Sequence, residues 1–179
     1  MHARFEKIRR DERCSYRIAE RQIPAFDAPW HFHPEIELTL IVAGRGRRFV
    51  GNSLERFREG DLVLLGPNLP HFWQSDADTP PCHSIVVQFS RDFLGAEFMR
   101  APELRAINRL LQRGAQGLVF GAEPAAERAR ESLRGLASAS GVAGLTGLLT
   151  VLELLARDRH VRTLTGSGTM LALDHRAEA

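Results

Sequence analysis

The sequence has few cysteines and no long hydrophobic run. Its 179 residues include two cysteines, Cys14 and Cys82, which cannot form a disulfide framework and lie too far apart for a CxxC metal clip. The N-terminus lacks the apolar core that a secretory signal carries. A run of about 18 apolar residues, as a membrane-spanning helix needs, is also missing. These absences predict a cytoplasmic protein.

Motifs of nucleophilic catalysis and of nucleotide binding are missing as well. The sequence contains no G-x-S-x-G elbow and no loop of the kind that holds phosphates. Gly44-Arg45-Gly46 is followed by a strand pattern rather than a helix, so we interpret it as a hairpin turn. The sequence therefore gives no support to a hydrolase or a nucleotide-binding protein.

The charge is close to balanced. The formal net charge is +2, with 26% charged and 44% hydrophobic residues, as in an ordinary soluble globular domain. The densest basic stretch, residues 4–21, also contains acidic residues. We interpret it as a solvated surface rather than a phosphate-binding patch.

The chain does contain a regularly spaced set of metal-ligating side chains. His31, His33 and Glu37 lie in HFHPEIELTLIVAG, and His71 follows in GDLVLLGPNLPHFWQ. Three imidazoles and one carboxylate suit Zn(II), Fe(II), Mn(II) or Ni(II). Residues 31, 33 and 37 share parity, so one extended segment would direct all three to one face, with His71 on a second strand. The alternative is a metal-free pocket in which the histidines hydrogen-bond a ligand or each other.

The hydrophobic pattern changes near residue 91. Before it, short β-rich runs separated by glycine and proline turns predict a closed or double-sheet β architecture. After it, apolar residues recur at helical spacing. The last helix carries a leucine stripe that predicts packing on the barrel along one edge and a dimer contact along the other. Its members are Leu145, Leu148, Leu149, Leu152 and Leu155.

The histidine-containing segments resemble the two motifs of the cupin superfamily. The first motif, H-x-H, E and G, is matched by His31, His33, Glu37 and Gly44, and the second by Gly60 and His71. The resemblance implies a double-stranded β-helix, or jelly-roll, barrel with His31, His33, Glu37 and His71 as metal ligands. Four positions depart from the family pattern: Ala25 and Asn68 replace glycine, Gly66 replaces proline, and Ser75 replaces asparagine.

Over residues 15–160 the chain resembles the N-terminal effector-binding and dimerisation domain of AraC-type transcription regulators. The segments SIVVQFSRDFLG, QGLVF and LTGLLTVLELLARD carry this likeness beyond the two histidine motifs. The resemblance implies a small-molecule effector in the barrel and a homodimer. The competing hypothesis is a small metal-dependent cupin enzyme, such as a dioxygenase or isomerase.

Strand parity adds three candidate residues of the effector pocket. Thr39 follows Glu37 on the inward face, and Trp73 shares parity with His71 and would form a flat wall. Gln88 is a polar residue in an apolar run; it would bind the effector or serve the far side of the barrel. Glu35 follows Pro34, and we expect it to be solvated.

The resemblance also predicts the domain organisation. Residues 1–121 would form the cupin barrel, with a short helical insertion at about 91–113. Residues 122–162 would form a helical dimerisation segment, and residues 163–179 a linker. In the regulators such a linker leads to a helix-turn-helix domain. We therefore expect this chain to be a fragment that reaches DNA only through that missing domain, and the alternative is a standalone relative.

Overall fold

Eleven strands of the described chain form two sheets. A computed structural model describes residues 2–9, 11 and 13–166. The strands are β1 Arg4–Phe5, β2 Tyr16–Ile23, β3 His31–Phe32, β4 Ile36–Ala43, β5 Gly46–Val50, β6 Ser53–Phe57, β7 Leu62–Leu65, β8 His71–Ser75, β9 Cys82–Phe89, β10 Leu118–Phe120 and β11 Arg162–Thr163. One sheet has the order β1-β3-β8-β5-β6, and the other has the order β11-β10-β7-β4-β9-β2. This is the β-rich barrel that the sequence predicts.

Helices follow the last long strand. They are α1 Ala96–Met99, α2 Arg105–Arg113, α3 Pro124–Leu136 and α4 Gly141–Ala156, with short 3-10 helices at Pro102–Leu104 and Gly114–Gln116. Pro102 and Pro124 each stand in a first helical turn, where a missing N–H costs no hydrogen bond. The predicted run of helices is therefore present, with β10 between α2 and α3.

The six-stranded sheet separates two apolar clusters. Side chains alternate along β4, so Leu38 and Leu40 join the larger cluster, which includes the buried residues of α2, α3 and α4. Ile41 belongs to the smaller cluster inside the barrel, together with Val63 and Trp73. The helices thus cover the outer face of this sheet and leave its inner face to the barrel interior.

The leucine stripe of α4 contributes mainly to the larger cluster. Leu148, Leu152 and Leu155 are each 0% exposed within the single chain. Leu145 and Leu149 are half-buried and keep surface that a second chain could contact. The helices predicted as a separate segment therefore share a core with the barrel, and their role in dimerisation stays a prediction.

The region around residue 163 differs from the expected linker. Arg162–Thr163 forms strand β11, which pairs with β10. Leu164 and Thr165 also donate backbone hydrogen bonds to Gly117 and Gln116. The rest of the predicted linker, residues 167–179, lies outside the described residues. Within the part of the chain that the structure describes, no helix meets the length and hydrophobicity of a membrane span.

The prediction that residues 31–37 form one extended segment is wrong. Strand β3 ends at Phe32, the chain bends at residues 34–35, and β4 begins at Ile36 in the other sheet. Pro34 stands in this bend, where its lack of an N–H breaks no ladder. His31 and Glu37 therefore come from opposite sheets, and they approach each other because the chain crosses between the sheets.

Two departures from the cupin pattern have a structural reason. Asn68 has φ of 60°, a left-handed conformation that asparagine tolerates better than most residues, so it can replace glycine. Gly66 donates its N–H to the Gly114 carbonyl at 2.7 Å, which proline could not do. A Cβ at Gly66 would also lie 2.7 Å from the Ala115 backbone. The turn before His71 is therefore built for its contact with the helical region.

Candidate functional site

Three histidines meet at the edge of the barrel interior. His31 and His71 are register partners on β3 and β8, with ring centroids 4.3 Å apart. His33 follows β3, and its ring centroid lies 5.2 Å from that of His71. One nitrogen from each ring can be chosen so that all three lie within 4.8 Å of one another. This spacing allows a single ion to reach all three imidazoles.

Backbone carbonyls fix the orientation of two of these rings. His31 Nδ1 lies 2.8 Å from the Pro29 oxygen, and His71 Nδ1 lies 2.7 Å from the Leu69 oxygen. Because a carbonyl only accepts, each Nδ1 carries the proton, and Nε2 presents its lone pair when the ring is neutral. Metal-binding histidines are commonly held in this way by their second nitrogen. His71 Nε2 is buried and has no hydrogen-bond partner among the described residues, which fits a ligand atom.

Glu37 stands beside the triad and is held by three neighbours. Its Oε2 accepts from Gln88 Nε2 at 2.8 Å and lies 3.1 Å from His33 Nε2, and its Oε1 accepts from Thr39 Oγ1 at 2.8 Å. His71 Nε2 lies 3.6 Å from Oε1. Burial favours the neutral acid, but the charge of His71 and the hydrogen bond and charge of His33 outweigh it, so the pKa of Glu37 lies well below its usual range. A carboxylate oxygen therefore faces the imidazoles at neutral pH.

The pKa values of the two buried histidines shift in opposite directions. Burial lowers the pKa of His71 to about 4, although the charge of Glu37 opposes it. Burial also disfavours the charged form of His33, but the hydrogen bond and charge of Glu37, with the charge of Glu35, raise its pKa. A ligand must be unprotonated to bind a metal, so His71 is prepared for that role at neutral pH.

A cavity of about 440 Å³ adjoins this cluster inside the barrel. His31 and Glu37 form one side of its wall. Apolar side chains that include Phe26, Ile41 and Trp73 form another part. The volume and the mixed wall suit a compact small molecule with both polar and apolar parts.

The structure places all three predicted pocket residues on this wall. Trp73 Nε1 is buried without a hydrogen-bond partner among the described residues, so it can donate to a bound molecule. Thr39 and Gln88 use their polar groups on Glu37, and Gln88 Oε1 also accepts from Arg17 Nη1 at 2.7 Å. Contact of any of the three with an effector stays a prediction.

Glu35 and Glu6 are placed differently from what the sequence suggests. Glu35 is 5% exposed, with Oε2 at 3.6 Å from His33 Nδ1, so the expectation that it is solvated is wrong. The bend after Pro34 turns it inward. Glu6 is not singled out by any motif, yet its Oε2 lies 3.1 Å from His31 Nε2. Only the pairing of β1 with β3 brings it there, and a two-residue strand gives no periodic signal.

The chain belongs to the family of AraC-like ligand-binding domains. The sequence model of that family matches residues 15–146, which is most of the chain. This confirms the predicted relationship to AraC-type regulators and favours a regulator over an enzyme. No curated protein sequence matches the chain.

Two solved structures of ToxT share the fold at low sequence identity. ToxT of Vibrio cholerae superposes with a TM-score of 0.52 at 14% identity over 77% of this chain and 53% of ToxT. A second ToxT structure, of an apo variant, gives 0.50 at 14% identity over 81% of this chain and 55% of ToxT. Oxalate decarboxylase of Lactobacillus farciminis aligns over 42% of this chain and 23% of its own length, with 20% identity and a TM-score of 0.37. The chain thus spans about half the length of ToxT and less of the decarboxylase.

Proposed function

We propose that the chain is the effector-sensing and dimerisation module of a transcription regulator. The observation that carries this is the cavity of about 440 Å³ inside a barrel that matches the AraC-like ligand-binding family. Its effector would be a compact amphipathic molecule. Trp73 Nε1, a buried donor without a partner among the described residues, would bind an acceptor on it. The sensing would take place in the cytoplasm.

A divalent transition metal would form part of the same site. The three imidazoles, with Glu37 beside them, have the donor types that Zn(II), Fe(II), Mn(II) or Ni(II) accept. A bound ion would present an electrophilic point next to the cavity, where an oxygen or nitrogen atom of the effector could complete its coordination. The metal would thereby add selectivity for effectors with a donor atom at one end.

Signal transfer requires that the effector bind one arrangement of the module more tightly than another. The inner and outer faces of β4 offer a physical connection, because Thr39 faces the cavity and Leu38 and Leu40 pack in the helical cluster. Leu145 and Leu149 would carry the dimer contact on α4. The module would act on DNA through a separate DNA-binding domain, since α3 and α4 are used in the core that they share with the barrel.

Tryptophan fluorescence provides the test. The chain has two tryptophans, and Trp30 is outside the cavity wall, with its ring against Phe72 at 5.7 Å. In the variant Trp30→Phe, emission comes from Trp73 alone, so a panel of aromatic carboxylates, sugars and amino acids can be titrated directly. A true effector should change this emission saturably and raise Tm. Trp73→Phe keeps an aromatic ring but removes the N–H donor, so it should weaken effector binding and reduce the rise in Tm.

Binding of an effector must be distinguished from turnover of a substrate. If a compound that binds the cavity is consumed by the metal-loaded protein, the metal-dependent enzyme becomes the better interpretation. Saturable binding without turnover supports the sensor. Absence of binding by the whole panel, with and without Zn²⁺ or Mn²⁺, would contradict the proposed effector site.

A further inference from the structure

We propose that Glu6, on the N-terminal strand, is a ligand of the same metal, so that metal binding fastens this strand over the cavity. The inference rests on the proposed metal site. It adds a residue that lies outside both histidine motifs, and it gives the metal a structural role in closing the pocket.

The N-terminal strand is already positioned for this role. Strand β1 runs parallel to β3, with Arg4 opposite His31 and Phe5 opposite Phe32. The Arg4 N–H donates to Trp30 O and the Glu6 N–H to Phe32 O, each at 2.9 Å. The rings of Phe5 and Phe32 make an edge contact with centroids 5.7 Å apart. Because side chains alternate, Glu6 faces the same way as Arg4, which is opposite His31.

The contact between Glu6 and His31 has the geometry of two ligands of one metal ion. The lone pair of a neutral His31 is on Nε2, since Nδ1 donates to Pro29 O. Glu6 Oε2 lies only 3.1 Å from that Nε2. A metal ion coordinated by both atoms would hold them this close together. A metal bound by the three histidines would satisfy His31 Nε2, and a change of rotamer at the partly exposed Glu6 would bring its carboxylate onto the same ion.

The same arrangement recurs on the inner side of the triad. His71 Nε2, which is buried and without a hydrogen-bond partner in the described chain, lies 3.6 Å from Glu37 Oε1. The buried Glu37 thus approaches His71, and the partly exposed Glu6 approaches His31. Glu37 and Glu35, which lies 3.6 Å from His33 Nδ1, are the buried carboxylates beside the imidazoles, and Glu6 would add a third from β1 to offset the charge of a divalent ion.

Closing the strand would change access to the cavity. Arg4, Phe5, Glu6 and Lys7 all form part of the cavity wall. Phe5 is 61% exposed and the Glu6 side chain 41% exposed, so β1 has little apolar burial to hold it in place. A metal–carboxylate bond would supply that attachment. Metal occupancy and entry of the effector would then be coupled through this strand.

The experiment measures metal affinity and protection of the N-terminal strand together. Zn²⁺ and Mn²⁺ are titrated by calorimetry into the chain, into Glu6→Gln and into Asp11→Asn. The last variant is the matched control, because Asp11 lies in the same segment but pairs with Arg13. Hydrogen exchange of residues 3–7 is measured with and without each metal, and circular dichroism verifies the fold of every variant.

We expect Glu6→Gln to lose about tenfold or more in metal affinity, as removal even of a group that supports a ligand does. The control should keep the affinity of the original chain. Metal should slow exchange of residues 3–7 in the original chain and in the control, but not in Glu6→Gln.

Three results would overturn the inference. One is equal metal affinity of the original chain and Glu6→Gln, and another is exchange of residues 3–7 that metal does not slow. Absence of metal binding by the original chain would overturn it as well. Effector sensing is tested separately by the emission of Trp73, so failure of the metal ligand and failure of the sensor are distinguishable.

Discussion

Gln88 and Glu37 are register partners on adjacent antiparallel strands, and the Gln88 amide donates to Glu37 Oε2 at 2.8 Å. The other end of the amide accepts from Arg17 at 2.7 Å. Arg17 is itself the register partner of Gln88 on the neighbouring strand β2. A row of three hydrogen-bonded side chains, one on each of three neighbouring strands, therefore fixes the carboxylate that faces the histidines.

Replacing Gln88 should weaken metal binding. Gln88→Leu keeps the size of the side chain but removes the donor that orients Glu37. We expect the metal affinity to fall about 10- to 100-fold, the range found for groups that support metal ligands. Calorimetry with Zn²⁺ measures this, and Gln74→Leu, an exposed change on β8, is the control. An affinity that stays unchanged would show that Gln88 does not position Glu37 for a metal.

Removing two histidines should abolish metal uptake. Protein purified without chelator should contain a first-row transition metal, and His31→Ala combined with His33→Ala should contain none. The control is His83→Ala, because His83 contacts Glu20 away from the triad. Since only the folded chain holds the site, metal at 100 times its Kd should stabilise it by about 2.7 kcal/mol and raise Tm. Elemental analysis and thermal unfolding make the test, and a chain that takes up no metal at modest excess would contradict it.

Residue parity predicts correctly which side chains share a face within one strand, but it fails across a bend. Glu37 and Thr39 on β4, and His71 and Trp73 on β8, point as alternation predicts, because each pair lies within one regular strand. His31 and Glu37 share parity by coincidence, since the chain changes sheets between them. Their meeting depends on how two sheets face each other, which spacing in the sequence does not encode.

Other features of the site could not be predicted from the sequence because they depend on burial or on very short strands. Glu35 is inside because the same bend turns it toward His33, so its polar character suggested the wrong environment. Glu6 reaches His31 through a two-residue strand that carries no hydrophobic pattern. The sequence predicts an apolar stripe on α4, but which of its leucines the barrel covers depends on the tilt of the helix over the sheet. In the structure, the leucines that the core covers completely are Leu148, Leu152 and Leu155.

The difference in burial along α4 predicts different effects of substitutions on stability. Leu152→Ala should lower the free energy of unfolding by about 2–5 kcal/mol, because it leaves a cavity in the core. Val142→Ala, at a position 77% exposed in the same helix, should change it little. Thermal or urea unfolding measures both.

The half-buried leucines should affect association instead. Leu145→Glu combined with Leu149→Glu should shift the chain toward the monomer, since charge disfavours burial at an apolar interface. Sedimentation velocity at several concentrations measures the shift, with circular dichroism to verify the helix content. If the original chain is a dimer and the double variant remains one, the predicted α4 interface is wrong.

The last prediction concerns the ion pair between Glu55 and Arg162. Arg162 Nη1 donates to Glu55 Oε1 at 2.7 Å and Nη2 donates to Oε2 at 2.8 Å. Glu55 lies on β6 and Arg162 on β11, so this pair joins the edge strands of the two sheets. The Arg162 hydrogen bonds, against the effect of partial burial, lower the pKa of Glu55 from its ordinary value of 4.5.

The sign of the pH effect follows from that lowered pKa. The unfolded chain takes up the proton first, so the pair stabilises the fold above about pH 4.5, and this contribution is lost as the pH falls through the lower pKa of the folded state. Glu55→Gln should therefore have a lower Tm than the original chain at pH 7, by an amount worth at most about 1 kcal/mol because the pair is partly exposed. The difference should shrink as the pH falls below about 4.5, and 1 M salt should also reduce it. Glu59→Gln, on the exposed turn after β6, is the control. A difference in Tm that stays constant over this pH range would show that the pair does not join the two sheets in solution.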